Sequence, residues 1–306
     1  MLIAFGGPEK PEEIRPFLRI VTAGRNIPPE RIEEVAHHYE VIGAGSPLNA
    51  LTFRQADGLR RVLRRDGIPH SVFVGMRNWR PFLYETLAEM KDRGHRRALG
   101  IILSAFQTEA SWERYIGDVA TTCEKVGGGA PEVVFAPVWS GHRQFIDAMT
   151  ERVDSALAKV GPDRRRFTPV VFTTHSVPIA MASESPYVMQ FTGAARVVAD
   201  RLGHPRWSLA YQSRSGSPRE PWLEPDICDV LRGLARDGAE DVVVVPIGFV
   251  CEHVEVLYDL DVEARRVAEE LGLRFHRAAP VNDHPRFIEM LADLVRQGPP
   301  IVRQCE

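Results

Sequence analysis

The sequence predicts an α/β protein made of two similar doubly wound units, each built on a four-stranded parallel sheet. Three observations predict it. Short, near-continuously apolar runs recur along the 306 residues, as strands buried on both faces do. Longer stretches of helical periodicity separate them, and strand–helix alternation implies right-handed crossovers with parallel pairing. The alternation occurs twice, and in each half a strand ends in a short polar loop from which a helix starts.

Taken in order, the first half offers the strand Leu2–Phe5, the helix Ala50–Arg65, the strand Ser71–Gly75, the helix Arg80–Arg93, and the strands Ala98–Ser104 and Val133–Pro137. A helix over Ser140–Lys159 carries the chain across a junction near Trp139–His142. The second half offers the strand Pro169–Thr174, the helix Ala194–Leu202, the strands Ser208–Gln212 and Asp241–Phe249, the helix Val262–Leu271 and the strand Leu273–His276. Asn282–Gln297 reads as a last amphipathic helix that packs back on the first half, with a frayed tail after it. The implied division is 1–140, 141–281 and 282–306. No low-complexity linker separates the halves, so a rigid pair with a cleft between them is expected.

Bulk composition removes several function classes. Hydrophobic residues make up 44% and charged residues 26%, and the net charge is −3, which gives no basic field for nucleic acid. No apolar run approaches the roughly 18–20 residues that cross a bilayer. The opening MLIAFGGPEK lacks the charged start and cleavage site of a signal peptide, so a cytoplasmic chain is expected. The four cysteines, Cys123, Cys228, Cys251 and Cys305, form no CxxC pair and read as reduced thiols.

Ligands of open parallel sheets bind outside the carboxyl ends of the strands. Six loops fall there, and they are rich in Gly, Ser, Arg, Trp, His and Glu. In VFTTHSVP, His175 comes just after an apolar run, where an imidazole serves either as base or metal ligand or as a turn cap. In PIGFVCEHVEVLYDLDVEA, Glu252, Glu255 and Asp259 have the spacing of one helix face. Stacked like charges repel unless a cation is near, and hard oxygen ligands suit transient handling of a divalent metal. The alternative is a solvated acidic face. The loops carrying His175 and Glu255 follow strands of the same sheet, which predicts that they are neighbours. Trp222 and Arg214, in YQSRSGSPREPWLEPDI, suit a flat, anionic, aromatic ligand or a structural loop equally. Tyr39, Ser46, Trp79, Phe106 and Tyr115 supply aromatics and hydroxyls for an apolar slot with polar rims, or simply for the core.

The segments FGGPEKPEEIRPFL, HHYEVIGAGSPLN, TTHSVP, YQSRSGSPREPWLEPDI and PIGFVCEHVEVLYDLDVEA together resemble the ferrochelatase family along nearly the whole chain, and most resemble its soluble, actinobacterial-type members, many of which act on coproporphyrin III. The resemblance implies two Rossmann-like, chelatase-like domains with a porphyrin cleft between them, and a lyase that inserts Fe²⁺ into a free-base porphyrin in heme biosynthesis. His175 matches the family's metal-site histidine and Glu255 its partner carboxylate, both catalytic. Glu252 and Asp259 fall on its metal-delivery ridge. Phe5, His38, Tyr39, Ser46, Tyr115 and Trp222 fall at porphyrin-binding positions. Phe5 stands where many Gram-positive members carry a tyrosine that ligates product iron, so no axial phenolate is available. His38 stands where those members carry arginine. Actinobacterial relatives often hold a [2Fe–2S] cluster on four cysteines. Trp112 replaces the internal one, and only Cys305 remains near the end, so no cluster is expected.

Iron and porphyrin are thus expected as substrates, with no tightly bound cofactor. The chain is expected to be a monomer, with room for transient contact with other heme-pathway enzymes. The alternatives are a non-catalytic tetrapyrrole or heme carrier and a chelatase for another divalent metal. A dinucleotide-binding enzyme is disfavoured, because Gly6, Gly7 and Pro8 are followed by Glu9 and Lys10, with no GxGxxG.

Overall fold

The computed structural model describes residues 1–24, 27–215 and 219–298. The first sheet is formed by β1 (Leu2–Ala4), β2 (Val74–Met76), β3 (Arg97–Ile102) and β4 (Glu132–Phe135). The second is formed by β5 (Val170–His175), β6 (Trp207–Gln212), β7 (Asp241–Val245) and β8 (Arg274–Arg277). Both sheets are parallel throughout, in the orders β2-β1-β3-β4 and β6-β5-β7-β8. The same 2-1-3-4 winding in each half accounts for the repeated sequence pattern. Central strands β5 and β7 are buried on both faces, which is why they read as unbroken apolar runs.

The helices of the first half are α1 (Pro11–Thr22), α2 (Pro29–Val41), α3 (Leu48–Arg65), α4 (Leu83–Asp92) and α5 (Arg114–Val126), the last preceded by a π-helical turn, Glu109–Glu113. That turn is locked reciprocally: Thr108 Oγ1 accepts from the Ser111 N–H at 3.1 Å, and Ser111 Oγ accepts from the Thr108 N–H at 2.8 Å. The second half adds α6 (Arg143–Leu157), α7 (Pro162–Arg165), α8 (Ile179–Ser183), α9 (Tyr187–Leu202), α10 (Ile227–Arg236), α11 (Val254–Leu257), α12 (Arg265–Glu270) and α13 (Pro285–Gln297). Asp226 caps α10, its Oδ1 accepting from the Cys228 N–H at 2.8 Å. Helix α13 packs on α3 of the first half and on α6.

One buried cluster joins the halves. Phe106 and Trp139 meet Phe145, Tyr187, Phe191 and Phe287 in it. A smaller cluster gathers Phe17 and Tyr39 from α1 and α2 with Val254 and Tyr258 of the second half, so the α1–α2 hairpin bridges the two sheets.

Several elements differ from the sequence expectation. The strand expected over 241–249 ends at Val245, because Pro246 has no N–H to offer a ladder. The helix expected from Val262 starts instead as a π-helical turn, Asp259–Ala264, running into α12. The hairpin α1–α2 and the helices α5 and α10 add to the expected set. Residues 299–306, including the tail and Cys305, lie outside the described residues.

Candidate active site

Strands β5 and β7 are neighbours in the second sheet, so the loops leaving their carboxyl ends meet. Beyond β7 the chain passes directly under β5. The Gly248 N–H donates to the Thr173 carbonyl at 3.1 Å, and a Cβ at Gly248 would lie 2.0 Å from Thr174 Oγ1. Only glycine permits this crossing, and the crossing delivers the Glu255 segment to His175.

His175 Nε2 lies 3.6 Å from Glu255 Oε1. Nδ1 of His175 faces the carbonyl of its neighbour Ser176. A carbonyl only accepts, so Nδ1 carries hydrogen and Nε2 is the nitrogen left to bind a proton or a metal. The backbone of His175 is held as well: Tyr187 OH donates to the His175 carbonyl at 2.8 Å and lies 2.7 Å from Thr174 Oγ1. His253 Nε2 lies 3.2 Å from Glu255 Oε2, so the carboxylate sits between two imidazoles.

The electrostatics follow from this arrangement. Burial works against the charge of Glu255, but His175, by charge and hydrogen bond, and then His253 outweigh it and hold the carboxyl well below the usual carboxylate range. Burial likewise opposes protonation of His175, and Glu255, the Ser176 carbonyl and Asp259 outweigh it and raise its proton affinity. Asp259 is pushed up to about 7 by burial and by the charges of Glu255 and Glu263, against the Ser213 hydroxyl, which donates to Oδ2, and His175. Among the described residues, no three His, Cys, Asp or Glu side chains are arranged to enclose a metal ion.

The ferrochelatase family model matches residues 1–298. The chain belongs to the ferrochelatase family. It is 41% identical over 309 residues to a coproporphyrin III ferrochelatase of Mycobacteroides abscessus, covering 99% of this chain and 90% of that one. It is 40% identical over 300 residues to a ferrochelatase of Rhodopirellula baltica, covering 97% and 85%. Among solved structures it resembles CbiX, the terminal enzyme for biosynthesis of siroheme in denitrifying bacteria, with a TM-score of 0.56 at 14% identity over 97% of each chain. SirB from Bacillus subtilis gives 0.58 at 11% identity, covering 97% of this chain and 93% of that one. These likenesses place the fold among chelatases.

The other expected site residues of this ferrochelatase-family chain fall into two groups. Tyr39 and Tyr115 are buried and lie in the field of Glu255. Burial first, and then that charge, push Tyr39 upward, while Tyr115 reaches about 12, held back by Arg77. The Arg77 guanidinium lies 4.7 Å from the centre of the Tyr115 ring and pairs with Asp118. Phe5, 40% exposed, stands edge-on to Phe17 at 6.3 Å. His38 stacks on Tyr258, ring centres 3.6 Å apart. Ser46 is buried at the start of α3, its Oγ accepting from the Leu48 N–H at 3.3 Å. Trp222 is buried in a segment bridged to Pro178, its indole N–H without a hydrogen-bond partner. Gly216 to Pro218 of the same segment lie outside the described residues.

Glu252 departs from the expectation. It stands two residues before α11, and Asp259 opens the π-helical turn, so the three carboxylates share no continuous helix face. Glu252 turns instead to Arg277, 3.0 Å away, which also holds Asp261 at 2.8 Å. Burial pushes the Glu252 carboxyl up, with Arg277 opposing it. His253, and Gln212, whose Nε2 donates to the Glu255 carbonyl at 2.6 Å, are neighbours of the pair that helical spacing does not reveal. His253 is the extended N-cap residue of α11 and Glu255 stands in that helix's first turn, where the N-cap side chain can reach back over it, and the two meet at 3.2 Å.

A cavity of about 440 Å³ lies between the π-helical turn after β3 and the loop after β5, lined by Glu109, Glu113, Pro178, Met181, Glu184 and Glu220. A second, of about 420 Å³, lies beside β2 among Phe53, Arg60, Arg64, His70 and Arg93, and none of the expected site residues lines either cavity.

Proposed function

We propose that this chain inserts Fe²⁺ into a free-base porphyrin in heme biosynthesis, with coproporphyrin III preferred to protoporphyrin IX. The carrying observation is the partly buried His175–Glu255 pair, brought together by the segments that follow adjacent strands, in a ferrochelatase-family chain whose relatives include coproporphyrin III ferrochelatases.

A flat porphyrin directs two N–H bonds into its own plane, so a metal cannot reach all four nitrogens. Binding the macrocycle distorted exposes lone pairs, with the strain offset by contacts to the rest of the ring. Two protons leave as the divalent metal enters, so charge balances and no electron moves. His175 Nε2 takes a departing proton and approaches the metal. The anionic Glu255 stabilises the imidazolium that forms, as its effect on His175 indicates. Asp259, hydrogen-bonded by Ser213, carries metal in or protons out. Tyr39, Tyr115, Phe5, His38, Ser46 and Trp222 line the macrocycle's surroundings in this reading, and Glu252 is reassigned to the Arg277 pair.

The same reading takes 1–140 and 141–281 as the two domains and 282–306 as the returning segment that carries α13, in line with the two separate sheets. It takes the chain as a cytoplasmic monomer, with iron and porphyrin as substrates and no cluster. Anaerobic incubation with Fe²⁺, or Zn²⁺ as surrogate, and each porphyrin, followed by absorbance, tests the function. Faster metallation of coproporphyrin III supports it. Tight binding without metallation of either points to a carrier.

A further inference from the structure

Resting on the chelatase reading, we infer that Gln212 is a positioning residue that sets the separation of His175 and Glu255. It touches both sides of the pair. Gln212 is the register partner of His175 across β5 and β6, and its carbonyl accepts from the Ser176 N–H at 2.7 Å. Register partners in a sheet present their side chains to the same face. On that face the Gln212 amide reaches past His175, and Nε2 donates to the Glu255 backbone carbonyl at 2.6 Å. One residue therefore ties the end of β5 to the segment delivered by β7.

The amide cannot be turned around. With Oε1 toward Glu255, two carbonyl oxygens would face each other, so Nε2 must point there. The consequence is an unpartnered acceptor: Gln212 is 1% exposed, and Oε1 has no hydrogen-bond partner. A buried, unpaired acceptor costs stability. An apolar side chain of the same length would avoid that cost. A glutamine kept here loosens the fold locally while tightening the site, the sign expected where geometry serves chemistry rather than stability.

Gln212→Met separates the two roles, because it keeps length and packing and removes both amide groups. The positioning role predicts an unchanged or raised melting temperature, porphyrin affinity within about twofold, and kcat reduced about 10- to 100-fold, the effect of a small misplacement of reacting groups. KM for the porphyrin stays near that of the unaltered protein. Gln212→Leu provides the same comparison if the methionine variant does not fold. A kcat within about twofold of the unaltered chain overturns the inference. So does a parallel loss of melting temperature, porphyrin affinity and kcat, which marks a structural role alone. If the unaltered chain metallates neither porphyrin, the chelatase reading falls and takes this inference with it. If it metallates and Gln212→Met does so equally well, only the role of Gln212 falls.

Discussion

Nε2 of His175 and Oε1 of Glu255 stand 3.6 Å apart, although 80 residues of sequence separate them. The parallel winding of the second sheet makes them neighbours: β5 and β7 are adjacent, and Gly248 lets the chain beyond β7 cross beneath Thr174. The pair is close enough for each to set the other's charge, and this has measurable consequences.

Glu255 raises the proton affinity of His175. A base must be unprotonated to accept a proton from the porphyrin, so insertion rises as pH climbs through the elevated His175 value. In Glu255→Gln the carboxylate charge is gone, and burial, which lowers the imidazole's proton affinity, is left less opposed. The rising limb of the pH–rate profile moves to lower pH, and kcat falls because the imidazolium loses its counter-charge. Stopped-flow Zn²⁺ insertion between pH 5.5 and 8.5 reads both effects. A limb that stays in place contradicts the coupling.

Asp259 changes charge near neutrality, its carboxyl pushed up to about 7 by burial and by Glu255 and Glu263. Below that value it is neutral and above it anionic, so its attraction for a divalent cation grows with pH. The metal KM is expected to fall between pH 6 and 8, and Asp259→Asn flattens that dependence while porphyrin affinity holds. An unaltered slope in the variant removes Asp259 from metal handling.

Much of this was legible in the sequence, for physical reasons. Doubly buried parallel strands read as plain apolar runs, so both sheets were visible. His175 is conspicuous as a titratable residue at a strand's carboxyl end, whereas Glu255 is singled out by its place in an acidic run and by the family resemblance. The α1–α2 hairpin was masked by Pro11, Pro16, Pro28 and Pro29. Two of these, Pro11 and Pro29, occupy first-turn positions where no N–H is needed, so prolines that look like breakers are starters. Glu252 was misplaced because i, i+3, i+7 spacing assumes a continuous α-helix, whereas this segment is extended, then briefly α-helical, then π-helical. Gln212 was invisible, since its partners depend on sheet register.

Far from the site, Asp241 offers a test of the fold alone. Its carboxylate, 2% exposed, is bound by Arg274, His276 and Arg164 at 2.8–3.0 Å. Hydrogen bonds from Arg274, against burial and with His276, hold it well below the usual carboxylate range. A depressed value gives stability that is full above the unfolded value of about 3.9 and lost as pH falls toward the folded one. Asp241→Asn should cost about 2 kcal/mol at pH 7, with the deficit shrinking below about pH 4. Urea melts at pH 7 and pH 3.5 measure it, and a deficit that persists undiminished in acid contradicts the assignment.

The most direct test of the central claim, that His175 is the base for metal insertion, compares His175→Ala with the unaltered protein for coproporphyrin III metallation and, separately, for porphyrin binding by fluorescence quenching. The account predicts insertion at least about 100-fold slower with porphyrin affinity within about threefold. Near-normal insertion by the alanine variant would contradict it.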